Sequence, residues 1–248
     1  MIKIFRNIRK KLVSENRSII RNTNYFKYAL GEIVLVVIGI LIALQVNNWN
    51  ETRKNRREEK VIINNLKEEL LDINKDLQSK TEEISGSKKA VKELMGLFGK
   101  SKEEIRCANT DSLIYFTLIW PEFNTTSVVI DDLLQSGKLH LVEDANLRKL
   151  IFKWQPTLDE TKSQFDEMVR FNNDRVFEYL NRQVSFKNAD RYGMVFWREK
   201  SVLEVDNTPL FGEIYYENML EGQLFFFTSY ENKIDDTIKL IDTILNEI

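Results

Sequence analysis

The stretch YALGEIVLVVIGILIALQVNNW, Tyr28 to Trp49, decides how the rest of the chain is read. Its centre, Ile33 to Leu44, is twelve residues without a charge. At about 1.5 Å rise per residue, the stretch spans roughly 33 Å as a helix, enough to cross the hydrocarbon of a bilayer. Ten aliphatic residues at about −0.3 to −0.6 kcal/mol each give roughly −3 to −6 kcal/mol of insertion energy, whereas Glu32 near one end costs less than its mid-bilayer value. Insertion wins. Tyr25 and Tyr28 on one side and Trp49 on the other sit where interfacial aromatic anchors are wanted. A buried core helix would lack these symmetric aromatic and polar brackets. A cleaved leader would show a small-x-small site, and LQVNNWN after Ala43 has none.

Charge fixes the expected orientation. Before the span stand Lys3, Arg6, Arg9, Lys10, Lys11, Arg17, Arg21 and Lys27 against the single acid Glu15, while Arg53, Lys54, Arg56, Arg57 and Lys60 follow it. The positive-inside rule keeps the N-terminus in the cytoplasm and places residues 50–248 on the far side of a bacterial inner membrane, in the periplasm. Residues 1–27 are then a basic cytoplasmic tail, in which Ile4, Phe5, Ile8, Leu12 and Ile19 allow either an amphipathic helix on anionic lipid or a disordered positive lead.

Across the whole chain, 36 Lys and Arg nearly cancel 38 Asp and Glu, so no nucleic-acid footprint is present. Nine glycines and three prolines leave long stretches without punctuation, which says helix. Ile63, Leu66, Leu70, Ile73, Leu77, Ile84, Val91, Leu94 and Phe98 recur at spacings of three and four, with Lys80 and Ser87 at the two missing positions. No Gly or Pro separates Trp49 from Ile84, so the span is expected to run on into this helix as a stalk over about residues 50–98. Residues Gly96 to Asn109 break the pattern. A helix over Asp111 to Trp120 is stopped by Pro121, Thr126 or Ser127 caps VVIDDLLQSG with Gly137 in the left-handed position, and Asp144 caps NLRKLIFKW. Pro156 marks a kink or a break, and Ser185 to Asn207 reads as an irregular connection. Ile234, Ile238, Ile241, Leu245 and Ile248 repeat the heptad. The expected fold is therefore all-α, one N-terminal transmembrane helix (28–49) continuing into an extramembrane antiparallel helical bundle (50–248).

The segments YALGEIVLVVIGILIALQVNNWNE (Tyr28 to Glu51) and DDLLQSGKLHLVEDANLRKLI (Asp131 to Ile151) resemble an uncharacterised family of single-span inner-membrane proteins of the Bacteroidota. The resemblance implies location and architecture and no activity.

On a helical wheel, Gly39 lies about −20°, Ala43 about +20° and Val46 about −40° from Glu32, so one face carries an acid followed by small residues. Such a face lets helix backbones approach, and self-association through it is expected. Glu32 either meets copies of itself or another membrane protein's polar group, as in a proton or cation path, or snorkels to the headgroups near Lys27. Catalysis finds little support. The one histidine, His140 in KLHLV, reads as structural, and Cys107 lies among acids rather than in the positive setting that makes a thiolate. The pairs Asp131–Asp132 and Asp235–Asp236 read as solvated, and Leu224 to Phe227 as core. Neither a metal nor a cofactor is expected. The expected function is a membrane-anchored, oligomeric helical scaffold or signal-coupling protein with no catalytic site. The rivals are an extracytoplasmic small-ligand sensor acting through a partner, or a pore of oligomerised spans.

Overall fold

The computed structural model describes the backbone from Thr23 to Ile248 and side chains from Lys27 onward. The basic tail and the Tyr25 side chain lie outside the described residues. Every regular element in the described residues is helical, so the all-α expectation holds. The chain divides between Arg57 and Glu58 into two compact units.

Helix α1, Thr23–Met95, is continuous over 73 residues. It contains no proline, and its many Leu, Lys and Glu residues are strong helix formers. The turn that ends it closes with Gly96 donating to the Lys92 carbonyl, and Gly99 takes a left-handed φ of 75°. In the first unit, the large apolar side chains from Leu30 to Trp49 are between 45% and 64% exposed. A helix apolar on every side and covered on none is what a bilayer, rather than water, accommodates.

The second unit holds the core. Leu66, Leu70, Leu77, Ile84, Ser87, Val91 and Leu94 of α1 are buried, following the heptad stripe. The long helix α8, Ile214–Glu247, runs antiparallel to this part of α1: Asn74 bonds Asp242 while Lys88 pairs with Glu231. Its buried seam passes through Ile234, Thr237, Ile241 and Ile244, with Ile238 and Leu245 at the flank. Helix α5, Ala145–Phe171, also packs antiparallel on α8, with Lys233 bonded to Glu160 and Gln223 bonded to Asn172. Thr161 and Thr237 hydroxyls meet at 3.0 Å in that interface. Trp154, Phe227 and Tyr230 are fully buried, as is Tyr216, whose ring packs against those of Phe98, Tyr179 and Phe211.

Several local expectations need correction. The segment after α1 is not featureless: Ser101 and Glu104 form a reciprocal capping box that starts α2, Lys102–Cys107. Helix α3 is Thr110–Thr117, ending three residues before the expected limit at Trp120, because the residue preceding Pro121 disfavours helical ψ and the turn closes earlier. Pro156 does not break the helix, since α5 passes through it uninterrupted. Beyond Phe171 the helix widens into a π turn, Asn172–Phe177, and resumes as α6, Glu178–Gln183. Of the run Leu224 to Phe227, Phe227 is buried in the core and Leu224 and Phe226 pack against it, whereas Phe225 is 62% exposed.

Between α3 and α5 the chain crosses α1. Helix α4, Val128–Gln135, is capped by Ser127 and followed by Gly137 at φ 71°, as the sequence indicates. Residues 185–207 contain the short helix α7, Phe186–Ala189, and a largely irregular loop.

Candidate functional site

The sequence-predicted face and the structure's own polar cluster lie on the same helix. On the span, Glu32, Gly39, Ala43, Val46 and Trp49 are all exposed in the single chain, as is Tyr28. A Cβ added at Gly39 would meet nothing within 4 Å. Arg53 lies over the Trp49 ring at 5.7 Å, a cation beside the residue placed as interfacial anchor. Glu32, Gly39, Ala43 and Val46 share a face of α1, and these four residues are exposed.

Further along α1 stands a row of polar residues that reading for periodicity leaves without a role. Glu58, Glu69 and Lys80 are spaced by eleven (69 − 58 and 80 − 69), a period that drifts only about 20° on a helix. Ser87, seven beyond Lys80, stays on the same stripe. Each member reaches across to the segment 119–143. Ser87 donates to the Ile119 carbonyl at 2.6 Å, and Lys80 donates to the Glu122 carbonyl at 2.9 Å. Glu69 accepts from the Ser127 hydroxyl at 2.6 Å, from the Val128 amide at 2.7 Å and from the Val129 amide at 3.1 Å. Its carboxylate thus satisfies the otherwise orphaned first donors of α4 and sits at the positive end of that helix. Glu58 pairs with Lys138 at 3.6 Å, and the neighbouring Glu59 accepts from the Glu143 amide at 2.5 Å. Arg148 donates to the carbonyls of Val142 and Glu143, so α5 holds the same strand of chain from its other side. Lys80 and Ser87 are therefore not gaps in the core stripe but the points at which an extended crossing is pinned to α1.

Beside this clamp lies a cleft of about 280 Å³ lined by Phe123, Asn124, Thr125, Asp131, Leu158 and Asp159, among others. It opens between the crossing and α5. The ring of Tyr230 meets Phe123 and Phe165 edgewise or tilted beneath it. Burial first, and then the nearby Asp76 carboxylate, push the Tyr230 phenol above its ordinary pKa. Asp131, expected to be solvated, is half-buried in this wall.

Residues 32–154 match the model of a family of unknown function, DUF6090. That match takes in the span from Glu32, the whole polar row and the crossing it holds, and stops at Trp154 before most of α5 and all of α8. It also contains the second segment on which the sequence resemblance rests. No curated protein and no solved structure matches the chain. The part of the chain matching DUF6090 is thus one helix that is apolar at its start and clamped along its length, with the segment it clamps.

The remaining candidates stand apart. His140 is exposed in a 3-10 turn with Nδ1 on the Gly137 carbonyl, and Cys107 is exposed at the end of α2. The loop after α7 carries exposed Met194, Val195, Phe196, Trp197, Val202 and Leu203, Phe196 having a positive φ of 53°. Periodicity could not find this cluster, because it belongs to no regular element.

Proposed function

We propose that the protein is a membrane-anchored, oligomeric scaffold that couples the state of its span to its helical bundle, without catalysis. The observation that carries this reading is the continuity of α1, whose apolar exposed segment and polar clamp are parts of one uninterrupted helix. Glu69, Lys80 and Ser87 bind backbone groups of 119–129, so the crossing has to follow α1 or lose those bonds. In this reading the span lies in a bacterial inner membrane, with the N-terminus inside, as the flanking charge favours. Pairing of spans through Glu32, Gly39, Ala43 and Val46 supplies the state that is coupled. The exposed apolar loop 194–203 supplies a surface for a protein partner.

The test locks the spans together. In a Cys107→Ser background, Gly39→Cys is oxidised in full-length protein held in lipid nanodiscs, and amide exchange is followed by mass spectrometry. Peptides containing Val128, Val129 and Glu143, whose amides donate to α1 carboxylates, should change exchange rate several-fold between oxidised and reduced protein. Efficient cross-linking with unchanged exchange there would remove coupling, and failure of the cross-link to form would remove the span pairing.

A further inference from the structure

We infer that the cleft beside the clamp binds a small hydroxylated amine, of the class of amino sugars and amino alcohols. At about 280 Å³ the cleft lies just below the range of about 300–1,000 Å³ that drug-sized ligands occupy, which suits a smaller molecule. Its floor is apolar, Phe123 and Leu158 being buried. Its rim is polar and unevenly charged. Among the described residues the Asp131 carboxylate has neither an ion pair nor a side-chain hydrogen bond, and Asp159 accepts only from the Gln155 amide at 2.9 Å. The one cation in the wall, Lys162, is already paired with Asp166 and lies 5.2 Å from the Phe165 ring centroid. The site therefore offers negative charge without a free positive partner, which suits a cationic ligand and disfavours an anion or a zwitterion.

Two further features narrow the class. Thr125 lines the cleft, and its hydroxyl oxygen is buried without a partner. A buried hydroxyl left unbonded costs free energy, so a ligand group that reaches it through a small shift of the wall gains what the empty site forgoes. With Asn124 and Thr126 beside it, the wall can meet several hydroxyls of one molecule. A metal ion is the poorer fit, since no group of three or more His, Cys, Asp or Glu side chains placed to hold one occurs among the described residues.

The position gives binding a consequence. Ser127 of the cleft wall is bonded to Glu69, and Asn124 accepts from Lys80 at 3.4 Å, so the wall and the clamp are the same few residues. The link to the clamp rests on the coupling reading, whereas occupancy of the cleft does not.

Full-length protein in detergent is titrated with glucosamine, with glucose as the neutral counterpart and potassium chloride as the ionic-strength control, using calorimetry and the unfolding midpoint. Glucosamine should bind and raise the midpoint where glucose and the salt do not. Asp131→Asn and Asp159→Asn should each weaken binding roughly ten-fold, the effect of losing one charge-assisted contact. Thr125→Val separates ligand use from packing: affinity should fall while the unliganded protein is as stable as before or more so, because an orphaned hydroxyl has been removed. Equal effects of glucosamine and salt, equal binding of glucose, or aspartate variants that bind as the parent does would each overturn the inference. Binding with the predicted variant pattern but without altered exchange at Val128 and Val129 would leave the cleft in place and count against coupling alone.

Discussion

Replacing Glu69 with alanine should lower the unfolding midpoint of the full-length protein by roughly 4–12 °C. The substitution removes three hydrogen bonds at once, from the Ser127 hydroxyl and from the amides of Val128 and Val129. Hydrogen bonds to charged groups contribute about 1.5–3 kcal/mol each, but they are not additive here, because Val128 is exposed and water can replace the carboxylate there. A total near 2–3 kcal/mol is the reasonable expectation. For a unit of this size each kcal/mol moves the midpoint by about 2–4 °C. Ser127 itself is fully buried and keeps its own cap on Ile130, so α4 should survive while its attachment to α1 is lost. Glu69→Gln retains an acceptor oxygen and should fall between the two. A midpoint unmoved by the alanine variant would show that the crossing is held by its apolar contacts, and the clamp would lose its place in the account.

The second large effect lies in the span. Gly39→Leu should weaken association of the full-length chain about ten-fold, or ~1.4 kcal/mol, while Val37→Leu leaves it unchanged. In lipid, apolar burial does not drive helices together, so close backbone approach across small residues must do it. The monomer makes this a clean comparison, because a Cβ at position 39 meets nothing in its own chain. Whatever Gly39→Leu disturbs must then be intermolecular. Val37 lies about 160° from Gly39 on the wheel and adds bulk on the opposite face. The bundle could hold an oligomer by itself, so the pair should be compared on residues 1–60 as well as on the whole chain. Equal association of both variants in both settings would mean that the face is wrongly chosen.

How much of this was legible before the structure differs by element. Long, strongly periodic segments declare themselves, because burial at every third and fourth residue has only one helical explanation; the stripe from Leu66 to Leu94 and the antiparallel return of α8 are of that kind. Caps with a side chain at a fixed offset, Ser127 and Asp144, are equally plain. At Pro156 the expected alternative of a break was wrong, since a missing amide and fixed φ are tolerated where a long helix is held by its buried face at Ile151, Trp154 and Leu158. The clamp was hidden for a different reason. Glu69 caps a helix 58 residues away, and no local pattern records a partner at that distance. Only the eleven-residue spacing of Glu58, Glu69 and Lys80 carried a trace of it. The buried pair Asn172 and Gln223 was likewise invisible, because its logic is the π turn that it fills: Asn172 bonds the Met168 carbonyl and Gln223 joins it to the Thr117 carbonyl.

The most direct test of the account uses the chain's single cysteine. Cys107 is exposed in the bundle, so it reports where that unit lies without any substitution. Full-length protein is produced in a bacterial host, spheroplasts with an intact inner membrane are treated with a membrane-impermeant maleimide, and the membranes are then washed with alkaline carbonate. Anchoring through residues 28–49 with the bundle outside predicts that Cys107 is labelled before permeabilisation and that the labelled protein stays in the membrane through the wash. Labelling only after permeabilisation would reverse the orientation, and release by carbonate would show that the helix is not a span, which contradicts the account at its root.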